Sequence, residues 1–152
     1  MSVRLDAEEA WRLVASAHTG IVVTLRRDGM PIALPMWFTV LDREIYLRTL
    51  SRSKKMARLQ RDPRVAFLVE EGERWAELRA VHVTGRAEVV TDRALITRVE
   101  SEMERKYEAF RTPRSEMPKA TRTHYEQSSV FLRIVPDAHL VSWDNRRLAG
   151  VR

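Results

Sequence analysis

The sequence predicts a mainly β protein, an antiparallel barrel of six to seven strands with about three helices at its periphery. Three observations lead to this prediction. Segments rich in β-branched and aromatic residues recur along the chain, short turns with Asp-Gly, Asp-Arg or Asp-Pro join them, and helical periodicity is confined to three places. Short connections between successive strands are typical of antiparallel barrels and not of alternating βαβ units.

The composition is that of one folded globular domain, residues 1–152. Hydrophobic residues make up 44% and charged residues 32% of the chain. The absence of cysteine excludes disulfides, thiolate zinc sites and cysteine nucleophiles. No apolar run approaches the roughly 18 residues of a membrane helix, and the first residues lack the apolar core of a signal peptide. We therefore expect a cytoplasmic protein with no membrane partner.

The first predicted element is a helix. Asp6 and Glu9 have the spacing of a capping box, and an apolar stripe continues from there to His18. Gly20 ends the helix. Residues 20–27 are rich in β-branched side chains and predict the first strand.

The second predicted strand contains two prolines. Asp28-Gly29 predicts a two-residue hairpin turn, after which the return strand spans residues 30–40. Pro31 and Pro35 each remove a backbone donor, which a central strand does not tolerate easily. This strand should therefore be bent, bulged, or open on one side toward a ligand.

The middle of the chain alternates tight turns with regular elements. Asp42-Arg43 predicts a turn into a strand at 44–49. A short helix is expected near 53–61, and Asp62-Pro63 ends it because proline disfavours helical geometry in the preceding residue. Residues 64–71 then predict another strand.

The second half begins with a long predicted strand at 78–90, in which Gly85 marks a bulge or a close approach of two backbones. Asp92 can cap a helix that continues with helical period to Phe110. A predicted loop with one helical turn, 111–127, and two final strands, 130–135 and 138–143, complete the chain.

The strand-to-helix turn is the most informative feature for function. Arg52, Ser53, Lys54 and Lys55 stand where the helix near 53–61 begins. The first N–H groups of a helix lack intrahelical partners, and the helix dipole adds positive potential there. The natural ligand of such a turn is a phosphate group. A basic turn that simply faces solvent is the alternative.

The basic residues are unevenly distributed. The net charge is +6, and the segment from Arg52 to Arg64 carries six Lys and Arg residues opposed only by Asp62. Such a cluster suits nucleic acid or a small polyanionic ligand. No aromatic residue lies within the segment for base stacking, which favours the small anion.

The usual catalytic motifs are missing from the sequence. It contains no G-x-G-x-x-G, no P-loop and no G-x-S-x-G, and its four histidines lack metal-ligand spacing. His82 lies in an alternating strand and is expected to be a barrel-face residue. We therefore expect no metal site and name no catalytic residue; an enzyme of this kind would take its reactivity from a cofactor.

Three segments resemble the flavin and deazaflavin oxidoreductase family, the split β-barrel group that includes pyridoxamine 5′-phosphate oxidase. They are GIVVTLRRDGMPIALPMWF, TLSRSKKMARLQRDPRV and VHVTGRAEV. The resemblance is good over residues 5–90 and looser over the last two strands. It implies an FMN-binding type of split barrel, a homodimer with the cofactor between subunits, and hydride transfer to or from a small unsaturated substrate.

The resemblance also implies which residues bind the cofactor. Thr49, Ser53, Lys54 and Lys55 correspond to the phosphate turn, with Arg52 beside them and Lys55 as the first choice for the charge on phosphate. The bent segment Pro35, Met36 and Trp37 corresponds to the strand along the ring system. Trp75, Arg79 and Trp143 are candidates from the second subunit, with core or dimer packing as the alternative for both tryptophans.

Two departures from the family pattern bear on the cofactor. The segment SWDNRRLAG offers Arg146 and Arg147 but no histidine, so the oxidase's arginine–histidine pair for the vitamin phosphate is not evident. Arg58 replaces an asparagine frequent in the family. Together with Arg61 and Arg79 it suits the anionic tail of F420, which we favour over FMN. The alternatives are a non-catalytic flavin- or tetrapyrrole-binding protein and, less favoured, a nucleic-acid-binding β-barrel.

Overall fold

A computed structural model describes residues 2–148, which contain eight strands and four α-helices. The helices are α1 (Ala7–Ser16), α2 (Lys54–Arg61), α3 (Arg93–Tyr107) and α4 (Lys119–Tyr125). The strands are β1 (Gly20–Leu25), β2 (Pro31–Met36), β3 (Thr39–Leu41), β4 (Glu44–Leu50), β5 (Arg64–Glu71), β6 (Arg79–Val89), β7 (Ser129–Pro136) and β8 (Val141–Asp144). Within these residues, no helix is long and apolar enough to cross a membrane.

The strands form one antiparallel sheet in the order β2-β1-β5-β6-β7-β4-β3, and β8 pairs with the first residues of β6. The edge strands β2 and β3 are separated in sequence only by Trp37 and Phe38. Three Cα–Cα steps span at most about 11 Å. The two edges must therefore lie close together, which requires the sheet to curl into a half-barrel and confirms the mainly β fold with peripheral helices.

The core has an inner and an outer part. Val22, Phe67 and Val83 lie directly opposite one another on β1, β5 and β6 and are buried inside the curl. The apolar faces of α1 and α2 pack into the same cluster. On the outside, α3 covers β3, β4 and β7 through a second cluster that includes Tyr46 and Tyr107.

The first helix and the tight turns follow from local sequence. Asp6 and Glu9 form the predicted capping box, with both hydrogen bonds at 2.8 Å. The hairpin after β1 differs from its prediction. The Arg26 N–H donates to the Met30 carbonyl at 2.9 Å, so the turn holds three residues and not two. Gly29 takes the left-handed position, φ +82°, which such three-residue turns place last.

The predicted return strand at 30–40 is divided in two. It stops at Trp37 and Phe38, where the chain passes from β2 at one edge to β3 at the other. This division gives eight strands where six to seven were predicted. Both prolines lie on the edge strand β2, which pairs only with β1. An edge strand tolerates missing donors on its open side, as the prediction of a one-sided strand required.

Three other predictions are refined. Gly85 is a close approach and not a bulge, because the register is continuous there and an added Cβ would lie 2.2 Å from the Val135 carbonyl oxygen. Residues 111–127 contain a 3-10 turn and α4, more helix than the single turn predicted. The last strand spans 141–144 and not 138–143.

Candidate functional site

Hydroxyl and amide groups converge at the start of α2. Ser53 caps the helix, with its Oγ accepting a hydrogen bond from the Met56 N–H at 3.1 Å and lying 3.2 Å from Oγ1 of the buried Thr49. The N–H groups of Lys54 and Lys55 have no hydrogen-bond partner among residues 2–148. Two hydroxyls and two unpaired donors therefore meet at the positive end of a helix.

Lys55 is a buried cation without a counter-ion. Its side chain is in a residue only 8% exposed, and its Nζ lies 2.7 Å from the thioether sulfur of Met36. In the described part of the chain, no carboxylate forms an ion pair with it. Burial lowers the pKa of Lys55, and repulsion from Arg58 lowers it further. A thioether is a weak acceptor, so an anion would relieve the cost of this burial.

We call the surface between the inner face of β2 and α2 the candidate groove. Leu34 and Met36 share that inner face, and Leu34 is 41% exposed although the opposite strand residue Val22 is buried. On the α2 side, Lys55 contacts Met36 and the Nε of Arg58 donates to a hydroxyl on β1 at 2.7 Å. The groove thus has an apolar wall on the strand and a cationic wall on the helix.

The cationic wall continues to the far end of α2. The Arg61 guanidinium donates to the Leu25 carbonyl at 2.6 Å, beside a shallow pocket of about 290 Å³. Four arginines line this pocket: Arg26, Arg27, Arg61 and Arg64. Pairing with Arg26 and Arg64 lowers the pKa of Asp28 and Asp62 to about 2, so both carboxylates stay charged and offset two of the four cations.

The residues before and after Met36 point elsewhere. The Trp37 ring stacks on Tyr107 of α3, with centroids 4.3 Å apart and planes 4° from parallel. Pro35 lies opposite Ile21, on the face of the strand away from Met36. One chain therefore brings only Met36 of the predicted ring segment to Lys55, and contact of Pro35 and Trp37 with a cofactor stays a prediction. Arg52 and Lys54 are exposed beside the turn.

Comparison with known proteins identifies the family. A family model described as pyridoxamine 5′-phosphate oxidase matches residues 7–134. The chain belongs to the pyridoxamine 5′-phosphate oxidase family. No curated protein matches the chain.

Solved structures support the same assignment. The conserved hypothetical protein Rv2991 from Mycobacterium tuberculosis is 33% identical, with 99% of this chain and 92% of that chain covered and a TM-score of 0.81. A FAD-binding protein from Mesorhizobium loti is 21% identical over 93% of this chain and 97% of that chain, TM-score 0.70. An F420 reductase is 21% identical over 86% of this chain and 94% of that chain, TM-score 0.62. The last two show the fold alone, and together the relatives confirm the split β-barrel.

The residues predicted to complete the site from a second subunit lie apart from α2. Trp75, Arg79 and Trp143 gather where β5 turns into β6 and where β8 pairs with β6. Arg79 forms an ion pair with Glu71, and the Trp75 carbonyl accepts a hydrogen bond from the Asn145 amide at 2.8 Å. Strands β1 and β5 separate β6 from β2, so one chain does not bring this group to Lys55. Core packing, one of the alternatives for Trp75 and Trp143, is wrong because these residues are 67% and 37% exposed, respectively.

The sheet also has an apolar outer face that α3 does not cover. The sequence did not predict this face. On the outer side of β1, β5, β6 and β8, Ile21, Leu68, His82 and Val141 lie in one row of directly opposed residues. Helix α3 covers only the β3–β4–β7 half of the outside, and Val141 is 59% exposed. The available signal was apolar residues at both alternating sets of positions in β1 and β5.

Two residues of α3 were also missed as determinants of the site. Lys106 Nζ donates to the Phe38 carbonyl at 3.0 Å and lies 3.8 Å from the centroid of that ring, and burial lowers its pKa to about 8. The Tyr107 hydroxyl contacts the same backbone. Both fix the link that follows Met36. Within residues 2–148, no group of three or more His, Asp or Glu side chains could hold a metal ion.

Proposed function

We propose that this protein is an oxidoreductase that binds F420 or FMN and transfers a hydride between the cofactor ring and a small unsaturated organic substrate. The observation that supports this most is the buried ammonium of Lys55, which has no carboxylate partner in the described part of the chain and lies at the N-terminus of α2. Both cofactors carry a phosphate, and a phosphate fits a site made of a cation, a capping hydroxyl and free helix N–H groups.

Each residue at the turn has a distinct role in this proposal. Lys55 neutralises the phosphate, while Ser53 and the N–H groups of Lys54 and Lys55 donate hydrogen bonds to its oxygens. Leu34 and Met36 offer apolar surface to the part of the cofactor beyond the phosphate and exclude water from it. When bound, the ring supplies the hydride chemistry, and the chain supplies position and orientation.

We favour F420 over FMN because cationic side chains continue along α2 beyond the phosphate turn. Arg58 and Arg61 continue along α2 to the pocket at the β1–β2 turn, where they suit the additional carboxylates of the F420 tail. An exposed ion pair contributes only about 0.2–1 kcal/mol, so several contacts are needed to favour the longer cofactor. An F420 reductase among the structural relatives agrees with this choice.

We further propose that the protein is a homodimer that buries the outer face of β1, β5, β6 and β8. This face is mostly apolar, no helix among residues 2–148 covers it, and it ends at the exposed Val141 and Trp143. Association would remove this surface from water. It would also allow Trp75, Arg79 and Trp143 of one subunit to approach the groove of the other, as the family resemblance implies.

A non-catalytic flavin carrier on the same fold is the second candidate. The observation in its favour is a structural relative whose name states FAD binding and no reaction. The two candidates differ in whether the reduced cofactor is consumed in the presence of an unsaturated substrate.

The test is titration of the purified protein with FMN and F420 side by side, followed by the absorbance spectrum of the retained cofactor. We expect saturable binding of F420 and weaker binding of FMN. Oxidation of the bound reduced cofactor by α,β-unsaturated carbonyl compounds, above the rate without protein, would support the enzyme. Retention without turnover over a broad panel would favour the carrier, and failure to retain either cofactor would reject the proposal.

A further inference from the structure

Residues 108–127, the strap, connect α3 to β7 along the surface of the protein. The strap contains the 3-10 turns Glu108–Phe110 and Arg114–Glu116 and the helix α4, and none of these elements has a buried residue. No hydrogen bond joins residues 109–127 to the sheet, α1 or α2. A segment with so little burial opens at low free-energy cost.

The two ends of the strap flank the cofactor groove. At its start, Tyr107 stacks on Trp37, the residue after Met36, and the Phe110 ring lies 4.5 Å from the His18 ring. At its end, the Ser128 carbonyl accepts hydrogen bonds from the N–H of Ser51 at 3.0 Å and from its hydroxyl at 2.9 Å. Ser51 lies two residues before the helix cap Ser53. Both ends of the strap therefore lie at the end of the groove where Met36 contacts Lys55.

The strap carries side chains suited to a planar ligand. Phe110 and Tyr125 are each 60% exposed, although aromatic rings contribute most when they are removed from water. We propose that the strap folds over the groove when the cofactor binds, and that Phe110 and Tyr125 contact the tricyclic ring and the substrate above it. This inference rests on the proposed function and adds the wall that selects the substrate.

Limited proteolysis of the full chain tests the strap directly. It contains four trypsin sites, after Arg111, Arg114, Lys119 and Arg122. We expect trypsin to cut these sites first in the cofactor-free protein, with the positions assigned by mass spectrometry. Cofactor at a concentration that saturates the absorbance titration should slow these cuts at least tenfold. Inorganic phosphate alone, which lacks the ring, should not slow them.

A double variant separates ring contact from general stabilisation. Phe110→Ser with Tyr125→Ser changes only exposed side chains, so the protein should fold. Its affinity for the cofactor should fall, so it is compared with the parent at a cofactor concentration that saturates its own absorbance titration, where protection of the strap should be below about twofold. Unchanged cutting with the cofactor demonstrably bound would overturn the inference and leave the proposed function intact. If the strap instead becomes more resistant to trypsin as the protein concentration rises, without cofactor, it packs against a second copy of the chain. That result would also overturn the inference. Failure to bind either cofactor would remove the proposed function, and this inference with it.

Discussion

The Tyr107 hydroxyl hydrogen-bonds to both backbone groups of Phe38. Its oxygen accepts from the Phe38 N–H at 2.9 Å and lies 2.8 Å from the His18 carbonyl oxygen and 2.9 Å from the Phe38 carbonyl oxygen, the two acceptors within reach of its proton. Phe38 belongs to the two-residue link that closes the half-barrel. Helix α3, which lies outside the sheet, therefore holds the Trp37–Phe38 link, and the candidate groove begins next to this link.

Replacing Tyr107 with phenylalanine should destabilise the protein by about 1–3 kcal/mol, because the buried Phe38 N–H loses its acceptor. The free energy of unfolding from urea titration measures this. Tyr125→Phe is the matched control, since that hydroxyl is on an exposed residue and has no hydrogen-bond partner in residues 2–148. Equal effects of the two substitutions would show that the Trp37–Phe38 link does not depend on the Tyr107 hydroxyl.

Lys106 should make stability depend on alkaline pH. Its folded-state pKa is lowered to about 8 by burial, below the ordinary value of 10.5, so the folded protein carries a penalty for the charged form below pH 8. Because the unfolded chain binds more protons between these two values, stability rises from pH 8 toward 10.5. We expect the parent to gain stability relative to Lys106→Met across that range in chemical denaturation. Parallel curves for both proteins would contradict this.

Gly85→Ala should cost about 1–3 kcal/mol, because the new methyl group would lie 2.2 Å from a backbone oxygen of β7 that cannot move aside cheaply. The melting temperature and urea midpoint report the loss. Arg86→Ala, on the next and exposed residue of β6, should have little effect. A fully stable Gly85→Ala protein would mean that β6 and β7 do not approach as described.

The dimer proposal predicts that Val141→Asp yields a monomer. Val141 is 59% exposed in a single chain, so the charge should leave the monomer folded, but it would be buried in the proposed interface. Light scattering coupled to size-exclusion chromatography gives the mass. Val89→Asp, at another exposed strand valine, is the control and should remain dimeric. A parent protein that is already monomeric at all concentrations would reject the interface.

Local sequence predicted the elements whose causes are local. The capping box at Asp6, the helix start near Ser53 and the stop after Arg61 each depend on a few neighbouring residues, and the structure has all three. The three-residue hairpin turn was missed because Asp-Gly fits two related turn types that differ by one residue.

The site could be predicted only as far as the turn. The sequence placed Lys55 at a helix start, but its burial depends on Met36, which lies nineteen residues earlier in the chain. The stacking of Trp37 on Tyr107 likewise joins distant segments, and no local pattern encodes it. The outer apolar face emerges only when the strand order is known, because side chains of four strands form it.

The most direct test of the account compares cofactors with and without their phosphate. We would measure the affinities of FMN against riboflavin, and of F420 against its deazaflavin chromophore lacking phosphate and tail, by fluorescence titration. A charge-assisted contact contributes about 1.5–3 kcal/mol, so within the better-bound pair the phosphorylated compound should bind the parent at least tenfold tighter than the unphosphorylated one. The control variant Lys54→Met should show the same difference. In Lys55→Met that advantage should largely disappear with no loss of stability. A Lys55→Met protein that keeps the full advantage would contradict the claim that this buried ammonium holds the phosphate.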